Sequence, residues 1–370
     1  MSGLDVLFSP YRLNALDLPN RVVMAPMTRS FSPGGVPTAE VAAYYRRRAE
    51  QGVGLIITEG TGVDRPAALN LPDVPRFHGE AALAGWKTVV DEVHAAGGRI
   101  VPQLWHVGQK PSNSAPDWTP PAPFESPSGL AETGERVSQP MSETDVADTI
   151  DAFARAAADA AQFGFDGVEL HGAHGYLINQ FFSEELNRRS DRYGGATLIE
   201  RSRFAVEILK SIRAVVPAGF PVILRLSQWK PRDFHARLAE TPRVLERWLG
   251  AFVDAGADAF HLSQQKFWEP AFPGFDKTLS LAGWAKKLIG VTAIAVGSVG
   301  LDGDAWESFA GKSASAASLD RLFERLERGE FDLAGVGRAL LQDPSWLEKV
   351  RQGRVDQLGD FTPAAFATLS

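Results

Sequence analysis

Apolar and polar positions along the chain switch between two periods. Eight short apolar runs recur at residues 21–27, 54–58, 99–105, 167–171, 221–226, 259–263, 293–296 and 332–336, each with the length and composition of a strand buried on both faces. Between them the pattern is that of amphipathic helices, at residues 39–51, 79–96, 144–163, 198–215, 241–255 and 318–328. Parallel strands need helical crossovers, and eight such units favour a sheet closed on itself. The expected fold is an α/β protein of the (β/α)8 TIM-barrel type, one domain over residues 1–370. Gly52, Gly97 with Gly98, Gly164, Gly256 and Gly329 fall where helices should stop, as left-handed C-caps do.

Two segments depart from this repeat. Residues 4–20 read as a small hairpin capping the barrel, with a turn near Asn14. After the third strand, Pro111, Pro116, Pro120, Pro121, Pro123, Pro127 and Pro140 crowd a stretch with neither period. A long loop is expected there, on the face where barrel enzymes build their sites, and it has the placing of a lid. A shorter excursion, residues 179–195, follows the fourth strand.

Composition narrows the chemistry. With 44% hydrophobic residues, 22 Phe and 9 Trp, the chain can fill a large core. A net charge of −7 argues against nucleic acid or an anionic membrane as partner, and the basic run Arg46, Arg47, Arg48 reads as a solvated helix face. The chain has no cysteine, which excludes disulfides, thiolate metal sites, iron–sulfur clusters and a Cys nucleophile. Residues 1–10 lack the form of a signal peptide and no run approaches the ~20 apolar residues of a membrane span; a cytoplasmic location is the default expectation.

The candidate chemistry sits at strand ends. The fourth strand runs out through His171, Gly172, Ala173, His174, Gly175 and Tyr176. Two imidazoles three residues apart can converge on one substrate oxygen, with the Tyr176 phenol as proton source, provided the glycines let the backbone turn. Away from a barrel mouth the same residues would be satisfied polar groups and a core tyrosine. His171 and His174 also suit zinc, but a catalytic metal wants a third ligand. None is evident, and Glu169 is expected to point away from the pair, so no metal is predicted.

Gly297 and Ser298 follow the seventh strand, and Gly337 and Arg338 the eighth, the two loops with which barrels hold phosphate. Thr28, Gln103 and Arg225 end the first, third and fifth strands. A hydroxyl, an amide and a guanidinium together match the polar edge of a flavin, and a fixed cation favours the reduced ring. A salt bridge to a carboxylate inside the barrel is the other reading for Arg225.

With these residues in view the chain resembles the Old Yellow Enzyme family of FMN-dependent ene-reductases. The likeness covers nearly its whole length, through residues 20–29 (NRVVMAPMTR), 58–60, 103–105, 171–182 (HGAHGYLINQFF), 187–195 (NRRSDRYGG), 224–227 and 337–344. The resemblance implies non-covalent FMN at the barrel mouth, reduced by NADPH or NADH and reoxidised by an enone, enal, maleimide or nitroalkene in ping-pong fashion. It implies that Pro26, Met27 and Thr28 lie beside the flavin ring, that Gly60, Gln103 and Arg225 hold it, and that Gly297, Ser298, Gly337 and Arg338 hold its phosphate. His171 and His174 would grip the substrate oxygen, Tyr176 would donate the proton and Trp105 would line the pocket.

His174 stands where some relatives carry Asn. Gln228, Trp229 and Lys230 after the fifth strand, and Phe267 and Trp268 after the sixth, are expected to reshape the pocket. Larger iron–sulfur relatives are excluded by the absence of cysteine. Oxidation or demethylation of a small amine or N-methyl compound is the alternative activity, and a non-catalytic flavin or phospholigand carrier a third. A homo-oligomer is open, since dimers are common among resembling proteins.

Overall fold

The computed structural model describes residues 1–111, 118–229 and 233–370. A hairpin of β1 (Tyr11–Leu13) and β2 (Leu16–Leu18) precedes eight barrel strands: β3 (Val22–Met24), β4 (Leu55–Gly62), β5 (Ile100–Trp105), β6 (Val168–Gly172), β7 (Val222–Ser227), β8 (Ala259–Ser263), β9 (Thr292–Val296) and β10 (Leu333–Val336). The eight pair in parallel in chain order, and β10 returns to pair with β3, closing the barrel. Each predicted run holds one strand. The first stops early, because Pro26 has no N–H to give a neighbouring strand. The second runs on to Gly62 through an irregularity between Ile57 and Gly60.

The helices are α1 (Gly3–Leu7), α2 (Ala39–Glu50), α3 (Glu80–Ala95), α4 (Glu143–Gln162), α5 (Leu177–Phe182), α6 (Leu198–Arg201), α7 (Arg203–Val215), α8 (Pro242–Asp254), α9 (Leu281–Ile289), α10 (Ala305–Phe309), α11 (Asp320–Glu327), α12 (Arg338–Gln342) and α13 (Trp346–Arg351). α5, α9, α10, α12 and α13 lie outside the predicted helical ranges, and two predicted segments differ from expectation. The start of the predicted hairpin is helical, because Ser2 and Asp5 form a capping box over the first turn of α1. The helix predicted at 198–215 divides at Ser202, whose hydroxyl donates to the Leu198 carbonyl (2.7 Å) and accepts from Trp248 Nε1 (2.8 Å), a back-bond that bends helices. The predicted cap glycines have positive φ, except Gly98. At Gly98 an added Cβ would lie 2.6 Å from that of Ala49, so close packing of α2 explains it.

Inside the barrel, side chains follow the two-residue period of the strands. Val23, Leu55, Ile57, Val101, Ile223, Ala259, Ile294 and Leu333 fill the lower interior, which Leu13 and Leu18 of the hairpin close from below. Two residues further along, the same face carries Gln103, Arg225, His261 and Gly335. An apolar plug thus supports a polar layer.

The basic run of α2 is not one solvated face. Arg46 reaches Glu50 and Glu92 at the surface, whereas Arg48 is fully buried, donating to the carbonyls of Tyr44, Leu340 and Ser370. Arg47 donates to the Leu369 carbonyl, and Arg29 to those of Ala365, Phe366 and Thr368. At 100° per residue, three consecutive arginines face three ways. Among the described residues no helix is long and apolar enough to cross a membrane.

The loop after β5 is tied down at Glu125; Pro116 lies outside the described residues. The buried His106 ring accepts the Gly108 N–H at Nδ1 (3.0 Å), so its Nε2 carries the proton and donates to Glu125 (2.8 Å). Arg65 grips the other carboxylate oxygen. Burial alone would raise the Glu125 carboxyl, but hydrogen bonds from His106 and Arg65 outweigh it and hold it down at about 2. The contribution of this depressed carboxyl to stability is full above the unfolded value near 4.5 and is lost as pH falls toward about 2. Glu125→Gln should therefore speed proteolysis within residues 118–142 at pH 7, and acidification of the wild type between those limits should do the same. Equal cleavage rates in variant and wild type would show the tie to be idle.

Candidate active site

The C-terminal ends of the strands surround a cavity of about 550 Å³, within the range of small-ligand sites. Beneath its floor lies a buried carboxylate. Glu169 accepts from Gln103 Nε2 through one oxygen (2.7 Å) and from His261 Nδ1 through the other (2.7 Å). Contrary to the expectation that it points away from the His171 pair, Glu169 faces the barrel interior, since residues i and i+2 of a strand share a face. Arg225 pairs in register with His171 on one side and His261 on the other. It is 7% exposed and its Nε is buried without a hydrogen-bond partner. Among the described residues no carboxylate lies within 4.0 Å of it, so the salt-bridge alternative falls away. Burial lowers the Arg225 pKa, and the Glu169 charge counteracts this.

Pro26, Met27 and Thr28 leave the end of β3 along one side of the cavity. Gly60 is there because a Cβ would stand 2.6 Å from the Trp105 ring. At the far end, Gly297 has φ 144° and Ser298 φ 53°, and a Cβ on Gly297 would meet the Gln264 carbonyl at 2.3 Å. Gly337 precedes Arg338, whose largely buried guanidinium reaches Asp304 O (2.9 Å), Ser308 Oγ (2.7 Å), Gly303 O (2.5 Å) and Ser298 Oγ (3.3 Å). A cation among glycine-lined backbone is the chemistry of an anion cradle.

The upper wall holds the expected trio. The rings of His171 and His174 are 5.0 Å apart, and Tyr176 is 4.8 Å from both His171 and Trp105. His174 sits at φ 64°, a strained turn for a non-glycine. The Ser227 hydroxyl accepts its N–H (3.2 Å), and Lys110 Nζ donates to its carbonyl (2.6 Å). The His174 ring stacks on Trp229 (5.0 Å) and meets Ser263 Oγ through Nε2 (2.8 Å). His171 Nδ1 accepts from the Ala173 N–H (3.3 Å), which leaves the proton on Nε2. Burial, then the Arg225 charge, pushes both imidazoles well below their usual pKa. Burial lifts the Tyr176 phenol to about 12.

Every predicted site residue borders this one cavity. Some pocket expectations fail. Phe267 is buried in the core against Trp268 and Phe331, and neither Phe267 nor Trp268 reaches the cavity. Gln228 is held away by its two hydrogen bonds to Ala239, and Lys230 lies outside the described residues. Trp229 does line the site. Ser263, Trp306, Phe309 and Phe366 also line it and escaped prediction. Ser263 was within reach of the two-residue period from His261; Phe366 arrives from the chain's last segment with no pattern to announce it. Among the described residues no three His, Asp or Glu side chains gather as metal ligands.

A guanidinium without a hydrogen-bond partner and an amide at one end, an anion cradle at the other, and one cavity that joins them fit FMN. The site and fold together define a flavin-dependent (β/α)8 oxidoreductase. Comparison with known proteins gives the same class. Residues 6–357 match the NADH:flavin oxidoreductase / NADH oxidase family. The chain is 32% identical over 365 residues to 12-oxophytodienoate reductase 7 of Oryza sativa subsp. japonica, covering 93% of this chain and 87% of that protein. With putative 12-oxophytodienoate reductase 4 of the same plant it shares 42% identity over 218 residues, spanning 57% of this chain and about half, 56%, of the relative. A solved structure of morphinone reductase in complex with tetrahydroNAD superposes with a TM-score of 0.76 at 30% identity, covering 97% of this chain and 93% of that one. The chain belongs to the NADH:flavin oxidoreductase / NADH oxidase family, the Old Yellow Enzyme family, and is an NAD(P)H-dependent flavin oxidoreductase with FMN as its cofactor.

The buried rings carry a prediction of their own. In the unfolded chain imidazoles take up protons near pH 6.5, whereas His171 and His174 in the folded chain do not, so stability should fall as pH drops below that value. Nitrogen-15 NMR of the ring nitrogens should show both neutral at pH 6, and a spectrum of protonated rings there would contradict the assignment.

Proposed function

We propose that the enzyme reduces activated carbon–carbon double bonds, of enones, enals, maleimides or nitroalkenes, by a ping-pong cycle in which nicotinamide and alkene use the same cavity in turn. The observation that carries this reading is the trio on the upper wall: two imidazoles and a phenol that border one cavity, with ring centroids 5.0 Å apart between the imidazoles and 4.8 Å between His171 and Tyr176. FMN bound here would take a hydride from NADPH or NADH and hand it to the alkene.

The chain's own residues do the rest. Thr28, Gln103 and Arg225, with Pro26, Met27 and Gly60 beside them, hold the ring's polar edge; Gly297, Ser298, Gly337 and Arg338 hold the phosphate. The N–H groups of His171 and His174 bind the substrate's carbonyl or nitro oxygen. Negative charge develops on that oxygen as hydride arrives, and preorganised donors in a dry site stabilise it. Neutral imidazoles suit the task, since they donate without adding charge to a pocket that already contains Arg225. Tyr176, still a phenol at neutral pH, delivers a proton to the α-carbon. Trp105, stacked against His171 and edge-on to Tyr176, keeps the trio packed and water out.

Tyr176→Phe should slow reoxidation of reduced enzyme by cyclohexenone by roughly 10²-fold or more, while flavin reduction by nicotinamide stays close to wild type. Stopped-flow measurement of the two half-reactions checks this, and equal loss in both would remove Tyr176 from the proton-donor role. Arg338→Ala should weaken FMN binding but leave riboflavin binding nearly unchanged, as read by fluorescence titration. The aromatic lining of Trp105, Trp229 and Trp306 also suits an N-methyl amine. An amine that bleaches the bound flavin without nicotinamide would select oxidation or demethylation instead.

A further inference from the structure

Beneath the cavity floor lies a carboxylate that the proposed reaction does not use. Glu169 is 0% exposed and does not border the cavity, yet both its oxygens are engaged, by Gln103 Nε2 and His261 Nδ1 at 2.7 Å each. A carboxylate only accepts. Gln103 must therefore commit its NH2 group downward, and its carbonyl oxygen is left for the cavity. The placing of Gly60 agrees: a Cβ on this cavity-lining residue would stand 3.3 Å from Gln103 Oε1. His261 must commit Nδ1–H in the same way, and its Nε2 is buried without a partner.

The same carboxylate answers a charge. Arg225 lies between His171 and His261 in the strand register, and Glu169 stands in register with Gln103 on one side and Ile223 on the other. Glu169 is the foremost negative group acting on the Arg225 guanidinium. In an interior of low polarity that through-space opposition, without a direct ion pair, reduces the net positive charge around Arg225.

We propose that Glu169 is a positioning residue for the bound flavin, which orients Gln103 so that its oxygen meets the ring's imide N3–H, and which offsets Arg225 so that the flavin accepts electrons less readily than over a bare guanidinium. This rests on the FMN reading above. Glu169→Gln separates the two effects. The new side chain has the same shape, its oxygen can still accept from Gln103, and its NH2 can donate to His261 once that ring moves its proton to Nε2. Orientation is kept and charge is lost.

The Glu169→Gln holoenzyme should retain FMN, and its midpoint potential should move to more positive values. Reduced FMN should gain roughly tenfold or more in affinity relative to oxidised FMN, the scale on which one neighbouring charge moves a protonation equilibrium. Spectroelectrochemistry on both proteins reads this directly. In wild-type holoenzyme loaded with nitrogen-15-labelled FMN, the N3–H proton should exchange with solvent far more slowly than in free FMN, a measurement that needs no variant to fold. Potential unchanged in the variant, or N3–H exchange as fast as in free FMN, overturns the role of Glu169. Wild-type protein that binds no FMN overturns the cofactor reading itself, and so the two failures are distinct.

Discussion

A guanidinium sunk into the mouth of a barrel has little water to solvate it, and most of this molecule's upper interior can be understood as the answer to that one charge. Arg225 stands on β7 where the strand's inward face passes from Ile223 to the cavity. Leaving it unanswered would cost several kcal/mol. Glu169 supplies opposite charge, Gln103 and His261 hold Glu169, and the apolar layer beneath keeps all of them from hydrating. The lower layer is dry hydrocarbon closed by the hairpin, so the polar layer has only one open side. A ligand entering there meets groups already oriented, with little reorganisation left to do.

The strands were legible because burial on both faces writes a continuous apolar run, and the helices because one face of each is polar. What pattern could not carry were interactions between distant segments. The His106–Glu125–Arg65 tie joins residues 60 positions apart with no period linking them. Arg48 looked solvated because, Tyr44 apart, its carbonyl partners come from α12 and from residue 370, which no local window contains. The break at Ser202 depends on Trp248 reaching across from α8.

For the site, strand ends were readable because a barrel places them at one mouth whatever the loops do. Glu169 was misjudged by parity alone: it shares the inward face with His171, and a stricter count of the two-residue period would have put it under the cavity. The aromatic residues show the opposite difficulty. Trp229 lines the site and Phe267 does not, although both follow strand ends by a few residues. Which way a loop side chain turns is decided by packing, and short loops carry no period from which to read it. Trp306 and Phe234 join Trp229 in one aromatic corner that only the folded loops bring together.

The pairing of β10 with β3 has a consequence for assembly. These are the first and last staves of the barrel, and the cavity straddles the seam between them: Ala25 to Ser30 flank one side, Gly335 to Arg338 the other. A molecule lying across that seam touches both staves at once, and a barrel with the seam open has no complete cradle to offer. Ligand binding then favours the closed form by mass action. The occupant acts as a stitch, drawing together segments roughly three hundred residues apart in the chain, a non-local union of the kind that chains make slowly.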